Sequence, residues 1–173
     1  KARDLGYPAI EYEVGDGNED PNWPKKPPSS RIKSPSLDDV QAMFGSFDFT
    51  YAPTPDNPQN IDITGNWVAK HIETIEIPQL VGVPIPIGEA HAVLCDGKFT
   101  CHKNAAKIFV GLFAAWDEAG LTPKILTFYG SFNARLKRKK ITPLPENLSN
   151  HSWGSAFDIN AKQNWIGALP AIM

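Results

Sequence analysis

Residues 102–120, HKNAAKIFVGLFAAWDEAG, are the most regular stretch of the sequence and decide its fold class. Apolar side chains recur there at spacings of three and four, which is the period of one helix face; they are Ala105, Phe109, Leu112, Phe113 and Trp116. Gly120 is a typical residue just beyond a helix end. The pattern predicts a helix over 102–119 that buries one apolar face.

Short strands are predicted on both sides of this helix. Apolar or alternating runs indicate strands at 75–77, 91–94, 125–129 and 157–159. The run 81–87 is also apolar, but its prolines remove backbone donors, so we expect an edge strand or a covering loop. Irregularly mixed strands around one dominant helix favour an α+β fold with a small antiparallel sheet.

The first part of the chain differs in composition. Residues 15–36 are rich in Pro, Ser and charge, which is typical of a linker or surface arm, and the alternating residues 10–14 suggest a short edge strand before it. Ser36 and Asp39 form a helix-start pattern, and that helix should stop at Gly45. We therefore divide the chain into an arm at 1–37 and a domain at 38–173.

Bulk properties limit the partners. The 173 residues carry a formal charge of −2, so nucleic acid is not an expected partner. No apolar run approaches the roughly 18 residues of a membrane span. The chain starts at Lys1 without a signal-peptide pattern, so we expect either a removed leader or a piece of a longer sequence. The oligomeric state stays open.

Two cysteines, Cys95 and Cys101, flank an Asp96-Gly97 turn signal. A hairpin at that turn could bring the thiols together as a disulfide, in an oxidising compartment. Two unpaired thiols in a reducing compartment fit equally well. A metal site with His102 beside the cysteines is a weaker third alternative, because no fourth ligand is nearby.

The chemistry-bearing segment is 149–160, SNHSWGSAFDIN. His151 and Asp158 supply the nitrogen and oxygen ligands that zinc accepts. Gly154 should let the loop fold back, Ala156 should leave space beside the metal, and Ser149 could fix the loop through a local hydrogen bond. The ordinary alternative, a solvated loop histidine and a capping aspartate, is not excluded by spacing alone.

The pattern Ser-x-His-x-x-Gly-x-Ala-x-Asp resembles the motif of the D-alanyl-D-alanine carboxypeptidase family of zinc peptidases. This family includes the vancomycin-resistance dipeptidases and carboxypeptidases and the L-alanyl-D-glutamate endopeptidases of phage endolysins. Residues 129–135, YGSFNAR, resemble its Gly-Ser-(Tyr/Phe)-Asn-x-Arg segment, and residues 160–167 also look similar. The resemblance runs from about residue 90 to the end, whereas residues 1–37 match no known pattern.

The resemblance implies roles for five residues. His151 and Asp158 would be the first two zinc ligands, and Arg135 would be a catalytic cation that stabilises the oxyanion. The alternative for Arg135 is membership of the solvated run 135–140. Ser149 and Asn160 would support the ligands.

The implied fold is Hedgehog/D-Ala-D-Ala peptidase-like. The implied function is zinc-dependent hydrolysis of peptidoglycan stem peptides, of the D-Ala-D-Ala carboxypeptidase or the L-Ala-D-Glu endopeptidase type. The implied location is the cell wall, the periplasm or outside the cell, in a host or phage protein. A non-catalytic zinc-containing module that binds cell walls is the main alternative, and a metal-free structural protein is another.

One departure from the family concerns the residues after Asp158. The family has a third ligand histidine there, with an acidic general base three residues before it, and neither occurs up to Met173. His71, His91 and His102 precede the motif and should be surface or packing residues. We therefore expect an incomplete chain that binds zinc weakly and is inactive alone, with apolar surface near Trp153 and Trp165 that is either exposed or covered by a neighbouring chain.

Overall fold

A computed structural model describes residues 35–87 and 91–161. Its helices are α1 (Leu37–Phe44), α2 (Trp67–His71) and α3 (Lys103–Glu118), and its strands are β1 (Phe49–Tyr51), β2 (Ile61–Ile63), β3 (Ile72–Glu76), β4 (Pro84–Ile87), β5 (His91–Leu94) and β6 (Lys98–His102). The strands form three antiparallel pairs, β1 with β2, β3 with β6 and β4 with β5. The α+β class with small antiparallel sheets is confirmed.

The predicted long helix is α3, and its first turn is capped by a histidine. The ring Nδ1 of His102 accepts a hydrogen bond from the Asn104 backbone N–H at 3.0 Å, which satisfies one of the free donors of the first turn. The apolar face of α3 is buried through Ala105, Phe109 and Phe113. It packs against the β3–β6 pair, as the periodicity predicted.

The first helix is also confirmed. The Asp39 backbone N–H donates to Ser36 Oγ at 3.1 Å, and the Ser36 N–H donates back to Asp39 Oδ2 at 2.9 Å. This reciprocal pair fixes the start of α1, which ends before Gly45. The strand predicted at 10–14 and nearly all of the 1–37 arm lie outside the described residues.

Two apolar clusters form the core. The first joins α3 to the β3–β6 pair and to Phe128. The second lies under the segment that carries His151 and contains Trp67, Leu136 and Trp153. The Trp153 side chain is 2% exposed, and its Nε1 donates to the Gly45 carbonyl at 2.9 Å. The expected exposure around Trp153 is therefore wrong, because α1 and the loop after it cover this ring, and Trp165 lies outside the described residues.

The strands predicted at 125–129 and 157–159 are reduced to one bridge, between Phe128 and Ile159. The reason is a side chain. The Oδ1 of Asn160 accepts the Leu126 and Thr127 backbone N–H groups at 2.7 and 3.1 Å. Since these donors are occupied, they cannot extend a ladder to a neighbouring strand.

Of the alternatives for the two cysteines, the one that requires a hairpin between them is wrong. β5 pairs with β4 and β6 pairs with β3, so the turn at Gly97 connects strands of two different sheets. Both thiols are buried and free. Burial raises the pKa of the Cys101 thiol to about 11, with a smaller contribution from Glu73, so this thiol is a poor nucleophile at neutral pH.

The two remaining strand predictions are confirmed, one of them with different limits. The strand predicted at 75–77 begins earlier and is β3, while the strand at 91–94 is β5. The proline-containing run ends in β4, which has β5 as its strand partner. Within the described ranges, no helix is long and apolar enough to span a bilayer.

Candidate metal centre

His151 lies in a short 3-10 turn, Asn150–Trp153, that Gly154 ends. Gly154 has a φ of 64°, and its carbonyl accepts the His102 N–H at 3.0 Å. A Cβ at this position would lie 2.8 Å from the His102 nitrogen, closer than a side-chain carbon can approach. Glycine is thus required both by the left-handed backbone and by the contact with β6, as predicted.

A serine ties the His151 turn to Arg135, but it is not the predicted one. The buried Ser152 hydroxyl accepts the Arg135 N–H at 3.0 Å and donates to the Arg135 carbonyl at 2.7 Å. Ser149 is also buried and bonds the same carbonyl, but through its backbone N–H at 3.0 Å. Its side chain forms no capping bond to the turn. The anchoring hydroxyl is therefore that of Ser152, for which the sequence pattern carried no signal.

The orientation of the His151 ring follows from one hydrogen bond. Nδ1 lies 2.9 Å from the Ser131 carbonyl oxygen, which can only accept, so we assign the ring proton to Nδ1. In the neutral ring, Nε2 then carries a lone pair. This is the arrangement of a metal-binding histidine, whose second nitrogen is held by a carbonyl or carboxylate.

Asp158 is positioned by the chain segment that precedes Ser131. The Asp158 backbone carbonyl accepts the Tyr129 N–H at 3.0 Å. Two residues later, the Asn160 N–H donates to the Thr127 carbonyl at 3.0 Å, and the Asn160 amide donates to the Lys124 carbonyl at 2.9 Å. Asn160 is buried and has a φ of 51°. Asn160 therefore fixes the backbone two residues after Asp158.

The two predicted ligands face each other. His151 Nε2 and Asp158 Oδ2 are 3.3 Å apart, and the side chains are 11% and 54% exposed. Two ligand atoms at 2.0–2.2 Å from a tetrahedral zinc ion are separated by about 3.3–3.6 Å. A nitrogen lone pair facing a carboxylate oxygen is repulsive unless a proton or a metal ion lies between them. The pair thus fits two corners of a zinc site.

The described residues supply no third ligand. Within 35–87 and 91–161, no group of three or more His, Cys, Asp or Glu side chains could hold a metal ion. His102 cannot serve, because its Nδ1 caps α3 and its Nε2 lies 3.0 Å from the Phe44 carbonyl. His71 stacks on Trp67 with ring centroids 5.1 Å apart, and His91 is exposed on β5. As predicted, these three are packing or surface histidines.

Arg135 differs from the cations that follow it. It is half-buried, and its Nη1 donates to the Leu136 carbonyl at 3.2 Å, whereas residues 137–140 are exposed. Desolvation lowers the pKa of the Arg135 guanidinium, and the Asp158 carboxylate opposes this shift. The guanidinium therefore lies within electrostatic reach of Asp158, and at this depth it remains charged at neutral pH.

No family model, curated protein or solved structure matches this chain. The resemblance to the zinc peptidases therefore rests on the sequence patterns of residues 129–135, 149–160 and 160–167.

Proposed function

We propose that the protein is a zinc-dependent peptidase of peptidoglycan stem peptides with a Hedgehog/D-Ala-D-Ala peptidase-like fold. The observation that carries the proposal is the 3.3 Å separation between His151 Nε2 and Asp158 Oδ2. Proximity alone would also describe an ion pair. In the neutral form of His151 the Ser131 carbonyl holds the proton on Nδ1, and the Nε2 lone pair and the carboxylate then face one point, as two ligands of a cation do.

Four residues of the chain would have separate roles in the reaction. His151 and Asp158 would hold the metal, and the Ser131 carbonyl would keep the imidazole in its binding orientation. Bound zinc supplies a Lewis acid and a water activated near neutral pH. The Arg135 guanidinium would offset negative charge on the substrate carbonyl oxygen, and partial burial makes that interaction stronger than it would be in water.

The backbone arrangement supports a shared site for these groups. Ser152 bonds both backbone groups of Arg135, and Ser152 directly follows His151 in the same turn. A displacement of the histidine turn would therefore displace the arginine as well. Such coupling suits catalysis, in which misplacement of a group by about 1 Å can cost 10²-fold in rate.

The test is peptide hydrolysis by the protein produced from its complete gene and supplied with zinc. Synthetic stem peptides containing an L-Ala-D-Glu bond and a terminal D-Ala-D-Ala bond would be incubated with it, and the products identified by mass spectrometry. We expect cleavage at one of the two bonds, abolished in His151→Ala and in Asp158→Ala. His91→Ala, which changes an exposed histidine away from the turn, should cleave at the native rate.

Two other outcomes would replace the proposal. Stoichiometric zinc without cleavage of either bond would favour the non-catalytic cell-wall-binding module. A protein without affinity for zinc, in which His151→Ala changes neither metal content nor activity, would favour a metal-free structural role.

A further inference from the structure

A strongly basic loop projects next to the candidate site. We define the basic loop as residues 137–147, KRKKITPLPEN. It holds four consecutive cations and one acid, in a chain whose formal charge is −2. All four cationic residues are exposed. Positive charge is therefore concentrated on one projection of a weakly acidic protein, which favours an anionic partner.

The base of the loop is fixed to the core. Leu136 and Leu148 are buried, and they pair as a β-bridge. Just above them, the Lys137 N–H donates to the Asn147 carbonyl at 2.7 Å, and Lys137 Nζ donates to the Glu146 carbonyl at 2.7 Å. Little ordering is needed when such a loop binds, so less binding free energy is lost.

The turn at the beginning of the basic loop has a lysine where glycine is favoured. The Lys140 N–H donates to the Lys137 carbonyl at 2.9 Å and closes a tight turn, in which Lys139 has a φ of 65°. Turns of this kind favour Gly or Asn at such a position. Unfavourable backbone conformations concentrate in binding segments, so the exposed charge of Lys139 in this turn fits a binding role.

Apolar side chains beside the cations indicate the class of partner. Ile141 is 64% exposed and Leu144 is 45% exposed, both within the basic loop. A soluble polyanion offers no apolar environment in which these side chains could be buried. An anionic lipid bilayer offers both lipid phosphates for cations and a boundary with acyl chains for apolar groups.

We propose that the basic loop binds the surface of an anionic lipid bilayer, with the cations at the lipid phosphates and Ile141 and Leu144 in the headgroup region. This is peripheral binding, independent of the proposed peptidase activity. Because Arg135 lies two residues before the loop, binding would place the candidate site close to the bilayer surface.

The test is sedimentation of the 173-residue protein with vesicles of phosphatidylcholine alone and of phosphatidylcholine with phosphatidylglycerol. We expect binding to the mixed vesicles, weakened by salt because the attraction is screened. Lys139→Glu/Lys140→Glu should reduce partitioning by at least about 25-fold, since each nearby cation contributes about fivefold. Ile141→Ser should reduce it by about tenfold through lost apolar burial.

Matched controls come from the exposed face of α2 and α3. Lys70→Glu/Lys107→Glu changes the net charge equally at two exposed lysines elsewhere, and Ile108→Ser changes an isoleucine that is also 64% exposed. Both controls should bind as the native protein does, and circular dichroism would establish that every variant is folded.

Three results would overturn the proposal. One is equal binding to neutral and mixed vesicles, and another is an equal loss in the loop variants and their controls. The third is binding that depends on Lys139 and Lys140 but not on Ile141 and that soluble polyphosphate abolishes, which would identify a soluble polyanion as the partner.

Discussion

Replacing Gly154 by alanine should lower the free energy of unfolding by about 2–4 kcal/mol. The left-handed backbone at a φ of 64° costs an L-residue about 1–2 kcal/mol. The new Cβ would also lie 2.8 Å from the His102 nitrogen and 3.1 Å from the Cys101 carbonyl carbon. These are backbone atoms of β6, so they cannot rotate away as a flexible side chain would.

Relief of this contact requires the histidine turn to move away from β6. The hydrogen bond from the His102 N–H to the Gly154 carbonyl, 3.0 Å long, would then be weakened, at a cost of about 0.5–1.5 kcal/mol. The same movement would shift His151, so any zinc affinity should fall together with stability. A change in the turn thus connects folding to the candidate site.

Gly120→Ala is the matched control for this substitution. Gly120 has a φ of 69° and no atom within 4 Å of the added Cβ, so only the conformational cost of about 1–2 kcal/mol applies there. The assay is urea unfolding of both variants followed by tryptophan fluorescence. A loss for Gly154→Ala no larger than that for Gly120→Ala would refute the reasoning, because the close approach to β6 would then contribute nothing.

Three further predictions concern the arginine, the anchoring serine and the capping histidine. In the active protein, Arg135→Ala should lower kcat by roughly 10²–10³-fold with unchanged zinc content. The control Lys139→Ala should keep a rate near the native one. Loss of zinc in Arg135→Ala would mean that the arginine is structural. Ser152→Ala should lower the free energy of unfolding by about 1–3 kcal/mol, because it leaves the Arg135 N–H without its acceptor and the Arg135 carbonyl with the Ser149 N–H alone; an unchanged urea midpoint would contradict this. Burial lowers the pKa of His102, and its hydrogen bond with Phe44 opposes this shift. As the pH falls, the imidazole therefore takes up a proton in the unfolded chain before it does so in the folded one. Stability should then be fully present above pH about 6.5 and fall as the pH drops toward the folded pKa. A His102→Asn variant, which can still cap α3, should show a weaker pH dependence.

Local patterns in the sequence predicted the elements that depend on neighbouring residues. The periodicity of 102–119 produced α3, and the Ser36–Asp39 pair produced the cap of α1. Gly154 was predictable for the same reason, since a tight reversal between His151 and Asp158 needs a left-handed residue. In each case the partners lie within one or two turns along the chain.

Elements that depend on distant partners were not predictable. The 125–129 strand fails because Asn160, more than 30 residues later, takes two of its backbone donors. The hairpin at Gly97 does not form because each flanking strand pairs with a strand from another segment. Ser152 was missed because its two bonds reach Arg135, 17 residues earlier. Local sequence patterns do not predict these long-range pairings.

The candidate site was predictable only in part, because some of its contacts join residues that lie far apart in the sequence. The spacing of His151 and Asp158 allowed them to meet, and they do meet. The carbonyl that orients the histidine comes from Ser131, 20 residues earlier, and only the folded chain reveals it. Zinc binding by the pair remains a prediction.

A double-mutant cycle on zinc affinity tests the central claim most directly. Affinities of the native 173-residue chain, His151→Ala, Asp158→Ala and the double variant would be measured by competition with a chromophoric chelator. His91→Ala would serve as the control. With the two ligands that the described residues supply, the native affinity should be weak, and it should fall at low pH as protons compete for the imidazole and the carboxylate. We predict that each single substitution lowers the affinity at least tenfold and that the double variant binds no more weakly than the weaker single one, because both side chains hold one ion. Additive losses, or an affinity that neither substitution changes, would contradict the account.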